Sequence, residues 1–257
     1  MKKLAFSVFA AALTFGANAA EDVKAPAADT SCCGYDGFYF GLGIAGINNG
    51  VKTETTAAYK NGNRAAAEIG VDTNNHDMKF AGSLTLGYGR RIKEKAYLGI
   101  EAGLDASKNS DFCNANMVTL NNRTFDVRSK VNGLTPSVAL KLGYVHPGTR
   151  GMVYLKAGAA YSVAKAYYEE LGTDNDPYRY SKKVSKWSPI IALGGEKLCG
   201  KNIRTRLEVE YRFKTNKSVD YAYTVTGTTT DKYNGTVKVT NKDAITLRAM
   251  AIYTVRK

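Results

Sequence analysis

Histidine occurs only twice in the 257 residues, tryptophan once and cysteine four times, and after residue 20 the chain has no long apolar run. Each shortage excludes something. A membrane helix needs about 20 consecutive apolar residues, so helical spans are excluded beyond the N-terminus. Strands with alternating faces can still cross a bilayer, and mean hydropathy is blind to them. Cys32, Cys33, Cys113 and Cys199 match no zinc spacing. The histidines, His76 at the base of a long polar segment and His146 in a short turn, do not make one catalytic site. The 25 glycines follow no three-residue period, which excludes collagen, and no glycine-rich phosphate loop precedes a helix. Lysine and arginine outnumber acids 36 to 23, yet they are scattered, with no basic helix for nucleic acid. The expectation is a protein that is not an enzyme and has no metal, no cofactor and no nucleic-acid partner.

What is present begins with an export signal. A basic Met1-Lys2-Lys3 start is followed by an apolar stretch over 4–15, and Ala17-Asn18-Ala19 supplies the small side chains that a signal peptidase needs. Residues 1–19 therefore read as a cleaved secretory signal. Losing Lys2 and Lys3 lowers the formal charge from +13 to +11. Residues 20–36 are polar and aperiodic and read as a periplasmic linker, leaving 37–257 as the folded domain.

That domain alternates with period two in eight runs: 37–47, 78–89, 96–105, 134–145, 152–164, 187–197, 204–214 and 244–255. In the first, Phe38, Phe40, Leu42 and Ile44 share one face, with Tyr39, Gly41, Gly43 and Ala45 on the other. A helix is excluded there, because its glycines would each cost about 1 kcal/mol. The connections 90–95, 146–151 and 198–203 are short, whereas 48–77, 106–133, 165–186 and 215–243 are long and polar. Long and short connections in strict alternation predict an all-β fold: an eight-stranded antiparallel up-and-down transmembrane β-barrel with long outer loops and short periplasmic turns. Segment 218–242 either forms a hairpin above the membrane or adds two strands to give ten.

The up-and-down topology places Phe38, Tyr88, Tyr144 and Tyr253 near one rim and Phe80, Tyr161, Trp187 and Phe213 near the other, which predicts two aromatic girdles. The inward list carries Glu101, Glu196, Glu208 and Glu210 against Lys141, Lys156, Arg206, Arg212 and Arg248. Such near-balance in a narrow interior predicts an ion-pair network that plugs the lumen. A lumen lined for ion conduction would show one sign in excess.

Four segments, GFYFGLGIAG from Gly37, YLKAGAAYS from Tyr154, RLEVEYRF from Arg206 and ITLRAMAIYTV from Ile245, resemble the small outer-membrane β-barrel proteins. That family includes opacity-type surface antigens and the OmpA transmembrane domain. The resemblance implies a monomer in a Gram-negative outer membrane, surrounded by outer-membrane lipid and lipopolysaccharide. It implies roles in envelope integrity and in adhesion to a host-surface ligand through the outer loops, and insertion by the outer-membrane assembly machinery. Members usually finish on an aromatic residue; here Val255 holds that position, with Tyr253 two places before it. Two alternatives stay open: a small ion-permeable porin, and a lipid A-modifying enzyme, for which Ser83 is the serine nearest His76 in the chain. Export permits disulfides, and under the barrel topology Cys32 or Cys33 could reach Cys199, whereas Cys113 could not. Loop and rim cations, among them Lys52, Lys60, Arg64, Lys182 and Lys183, are expected to meet lipopolysaccharide phosphates or anionic host glycans.

Overall fold

The structure is a computed structural model that describes residues 33–48, 51–59, 67–73, 78–92, 95–108, 116–120, 123–146, 149–171, 178–226 and 230–255. The expected signal, most of the linker, His76, Cys32, Cys113, Lys60 and Arg64 lie outside the described residues.

Among the described residues fourteen strands follow in order: β1 (Gly37–Asn48), β2 (Val51–Tyr59), β3 (Ala67–Thr73), β4 (Met78–Arg91), β5 (Ala96–Ser107), β6 (Asn116–Leu120), β7 (Arg123–Val131), β8 (Leu134–His146), β9 (Gly151–Leu171), β10 (Tyr178–Leu198), β11 (Ile203–Arg212), β12 (Thr215–Thr226), β13 (Thr230–Asn241) and β14 (Ala244–Val255). Eight of them close a ring, β1-β4-β5-β8-β9-β10-β11-β14, and β14 returns to β1 in antiparallel register from Phe38 opposite Val255 to Asn48 opposite Ile245. Closure leaves the ring no unpaired edge. The eight runs with period two are these eight barrel strands.

Alternation also decides which face turns inward. In β14 every second residue is buried, from Ala244 to Thr254, and the residues between them are more exposed. Phe38, Leu42, Phe80, Leu86, Leu140, Leu142 and Leu155 all stand on the outside, with Phe80 78% exposed. An apolar exterior around a charged interior inverts the usual arrangement of a water-soluble domain.

The two ends of the barrel differ. At one end the connections are short, and a 3-10 turn over Cys33–Tyr35 tucks against them. Tyr35 is fully buried among Tyr97, Val145, Met152 and Tyr154, and its hydroxyl donates to the Arg150 carbonyl at 2.8 Å. Asp36 holds the neighbouring turn by accepting from the Arg91 backbone N–H at 2.7 Å. These contacts close the turn end.

At the other end the long connections continue as strands. The β6–β7 hairpin adds to the upper half of β9, with Val131 opposite Ala164 and Thr124 opposite Leu171. Hairpin β12–β13 pairs with β2 and β2 with β3, making a separate four-stranded sheet in the order β12-β13-β2-β3. Segment 218–242 is therefore a hairpin above the barrel, and the ring keeps eight strands.

Candidate functional site: an ion-paired lumen in an apolar wall

Glu101 on β5 and Glu208 on β11 point into the barrel because they alternate with outward Ile100, Ala102 and Leu207. The same parity brings in Lys141 from β8, Lys156 from β9, Glu196 from β10, Glu210 and Arg212 from β11 and Arg248 from β14. All nine charged residues expected in the lumen, Arg206 included, are buried.

Toward the turn end, Glu196 is the hub. One oxygen accepts from Lys141 and lies 2.8 Å from Arg206 Nη2, while the other accepts from Arg204 Nη1 at 2.8 Å. Arg206 also engages Glu101, with Nη2 2.7 Å from Oε2 and Nη1 donating to Oε1 at 3.0 Å. Tyrosines line this layer. Tyr39 donates to Glu101 at 2.9 Å, and the Lys141 ammonium stands 4.0 Å from the Tyr154 ring centroid, close enough for a cation–π contact.

Lys156 carries the network toward the loop end by bridging Glu101 at 3.2 Å and Glu208 at 2.7 Å. Arg248 then gathers three carboxylates: Asp105 at 2.6 Å, Glu210 at 2.8 Å and Glu208 at 2.9 Å. Ser83 donates to Asp105 at 2.8 Å, and Arg212 lies 3.6 Å from Glu210. Six bases and five acids thus form one continuous ladder. Two members, Asp105 and Arg204, are missing from the sequence reading. They sit at the ends of their runs, but the parity of Gly103 and Arg206 would have assigned both.

The charged side chains of the ladder are buried against one another. The gap among Ser83, Asp105, Lys156, Glu208, Arg248 and Met250 is about 10 Å³, no more than one water can occupy. A larger depression of about 520 Å³ lies on the apolar wall at the turn end, bounded by Phe38, Phe40, Leu86, Tyr88, Ile100 and Val138.

The aromatic residues fall at two levels. Phe38 packs against Tyr88 with ring centroids 4.9 Å apart, Phe40 against Tyr253 at 5.4 Å, and Tyr144 stands on the same outward face near the short turns. Tyr161 and Trp187 pair at 5.1 Å toward the loop end, where Phe80 and Phe213 are exposed as well.

Other candidates do not converge. Ser83 faces the lumen, where Asp105 holds its hydroxyl. Cys199 is exposed beside Thr205 at 3.6 Å, and the side chains of Cys32 and Cys33 are outside the described residues. Among the described residues no group of three or more His, Cys, Asp or Glu is arranged to hold a metal ion.

No protein-family model matches the chain, and no curated protein matches it. Among solved structures it is similar to the attachment invasion locus protein Ail of Yersinia pestis, at 14% identity and a TM-score of 0.37, covering 85% of this chain and 99% of Ail. It is similar to the outer membrane protease OmpT of Escherichia coli at 13% identity and a TM-score of 0.45, covering 86% of this chain and 97% of OmpT. For OprG of Pseudomonas aeruginosa the values are 12% and 0.45, covering 86% and 98%. Likenesses this distant leave the fold to be read from this chain's own strand pairing.

Proposed function

We propose that the chain is a structural outer-membrane β-barrel protein and surface antigen of the opacity and OmpA type, which stabilises the envelope and presents its outer strands to the surroundings. One observation carries this reading: a closed barrel whose outside is apolar and whose inside is filled by a continuous ion-pair ladder. Acyl chains solvate such an exterior, and the ladder occupies the path that a conducting pore would leave open. Outward of the wall, the sheet formed by β12, β13, β2 and β3 supplies a surface for adhesion to a host ligand. The reading includes insertion by the outer-membrane assembly machinery, a monomeric state and no catalysis.

Planar-bilayer recording tests it against the porin alternative. The full chain is expected to insert without stable openings, and reproducible unitary conductance would assign it to transport. Incubation with lipopolysaccharide, followed by mass analysis of lipid A acyl content, is expected to show no change. A changed acyl count would reinstate the enzyme reading.

A further inference from the structure

At the turn end the backbone bends sharply as it enters β1. Gly37 has a φ of +114°, a conformation that glycine adopts readily and other residues rarely do, and a Cβ there would stand 2.9 Å from the Val255 carbonyl oxygen. Residues 34–36 therefore run across the barrel mouth instead of extending the strand, and their contacts reach three parts of the ring. On one side of β1, Asp36 accepts from the Arg91 backbone N–H and, through its other oxygen, from Arg91 Nε at 3.2 Å. On the other side, the buried Thr254 hydroxyl of β14 donates to the Gly34 carbonyl at 3.1 Å. Tyr35 reaches the wall facing β1, where the Arg150 carbonyl accepts both its hydroxyl and the Leu198 backbone N–H, the latter at 3.0 Å. Gly34 packs so closely on Leu198 that a side chain in its place would collide with it.

In the ring of eight, β9 stands opposite β1, so residues 34–36 form a spoke from the β1–β14 seam to the far wall. That seam is unlike the others. Each of the others joins barrel strands that follow one another along the chain, whereas β1 and β14 are the first and the last, and Thr254 lies 220 residues from Gly34. Closure entropy grows with the length of chain between partners, and contacts of large sequence separation are slow to form. Thr254 stands beside Gly34 only once the seam has paired, and Arg150 faces Tyr35 across the mouth only once the ring is closed.

We propose that residues 34–36 are a latch, seated after the β1–β14 seam has paired, which slows reopening of the ring without hastening its closure. Contacts that are absent from the folding transition state act on the two rates in this way. The latch follows from the closed ring itself and not from what surrounds the wall, so it stands apart from the membrane reading.

The test uses the full chain folded in nonionic detergent micelles, with guanidinium jumps followed by emission of Trp187, the chain's single tryptophan, and with amide hydrogen exchange mapped by mass spectrometry. Tyr35→Ala removes the spoke. Its unfolding should be roughly a hundredfold faster, as expected for loss of a buried aromatic side chain, while refolding stays within about twofold of the parent. Exchange should rise along β1 and β14 with the β9–β10 hairpin still protected. Thr254→Val keeps the side-chain volume and cuts only the tie to β14; the same seam should loosen, with unfolding roughly fivefold faster. This second variant decides the matter if Y35A is too unstable to isolate. Refolding slowed as much as unfolding is quickened overturns the latch, because the contacts would then form before closure. Exchange that rises beside Val145 and Met152 with the seam unchanged also overturns it, since Tyr35 would then only fill the mouth. So does a T254V chain that matches the parent in both rates and exchange.

Discussion

Glu196 takes contacts from Lys141, Arg204 and Arg206, and all four side chains are buried, so its charge matters more than its hydrogen-bonding shape. Glu196→Gln keeps the volume and leaves three cations with one fewer counter-charge. Breaking a buried pair in this way costs about 3–5 kcal/mol. Urea titration of the folded barrel in vesicles, read by Trp187 fluorescence, should show that loss. Lys141→Met should cost less, because Glu196 keeps two arginines and the methionine still fills the space beside Tyr154. Nearly all of this cluster was legible in the sequence, since strict alternation assigns each charge to a face without any knowledge of partners. Which acid meets which base was not legible. Arg206 reaches Glu101 across more than a hundred residues of chain, and only barrel closure brings those strands together.

Strand register explains a feature that alternation alone leaves unexplained, the crowding of glycine among inward positions. Tyr39 lies directly opposite Gly87, and Tyr154 directly opposite Gly194. A Cβ on Gly87 would come within 2.3 Å of the Tyr39 ring, and one on Gly194 within 2.3 Å of the Tyr154 hydroxyl. Each glycine thus makes room for a tyrosine that donates to a lumen carboxylate, Tyr39 to Glu101 and Tyr154 to Glu208. Gly194→Val should displace Tyr154 from its bond to Glu208 and destabilise by about 1–3 kcal/mol, the usual range for overpacking. Gly195→Val one position on, with its nearest atom 3.9 Å away, should change stability little. Thermal shift of the band between folded and unfolded mobility on unheated gels would separate the two variants. The outer strands β2, β3, β6, β7, β12 and β13 were less legible than the barrel. Some of their segments do alternate, Ile69 and Val71 against Glu68 and Asp72 in β3 and Phe125 and Val127 against Asp126 and Arg128 in β7, but these runs are short and sit inside long polar connections, so they read as loops, apart from the hairpin considered for 218–242.

For the molecule as a whole, the question is which solvent meets the wall. Leu140 sits midway along β8, is 58% exposed, and lies opposite Ile100 on one neighbour and Ala157 on the other. In water, Leu140→Arg at so exposed a position would change stability by no more than about 0.5 kcal/mol. In a bilayer, an arginine at mid-depth on a barrel's lipid face costs about 2–4 kcal/mol, falling to about 0–1 kcal/mol near the interface. Tyr144, on the same face of β8 but two residues from its turn end, provides the shallow comparison. Reversible unfolding of L140R and Y144R from lipid vesicles should therefore give a large loss for the first and a small one for the second. That gradient has no counterpart in a uniform aqueous surround, and two equally neutral variants would mean that water, not acyl chain, covers the apolar wall.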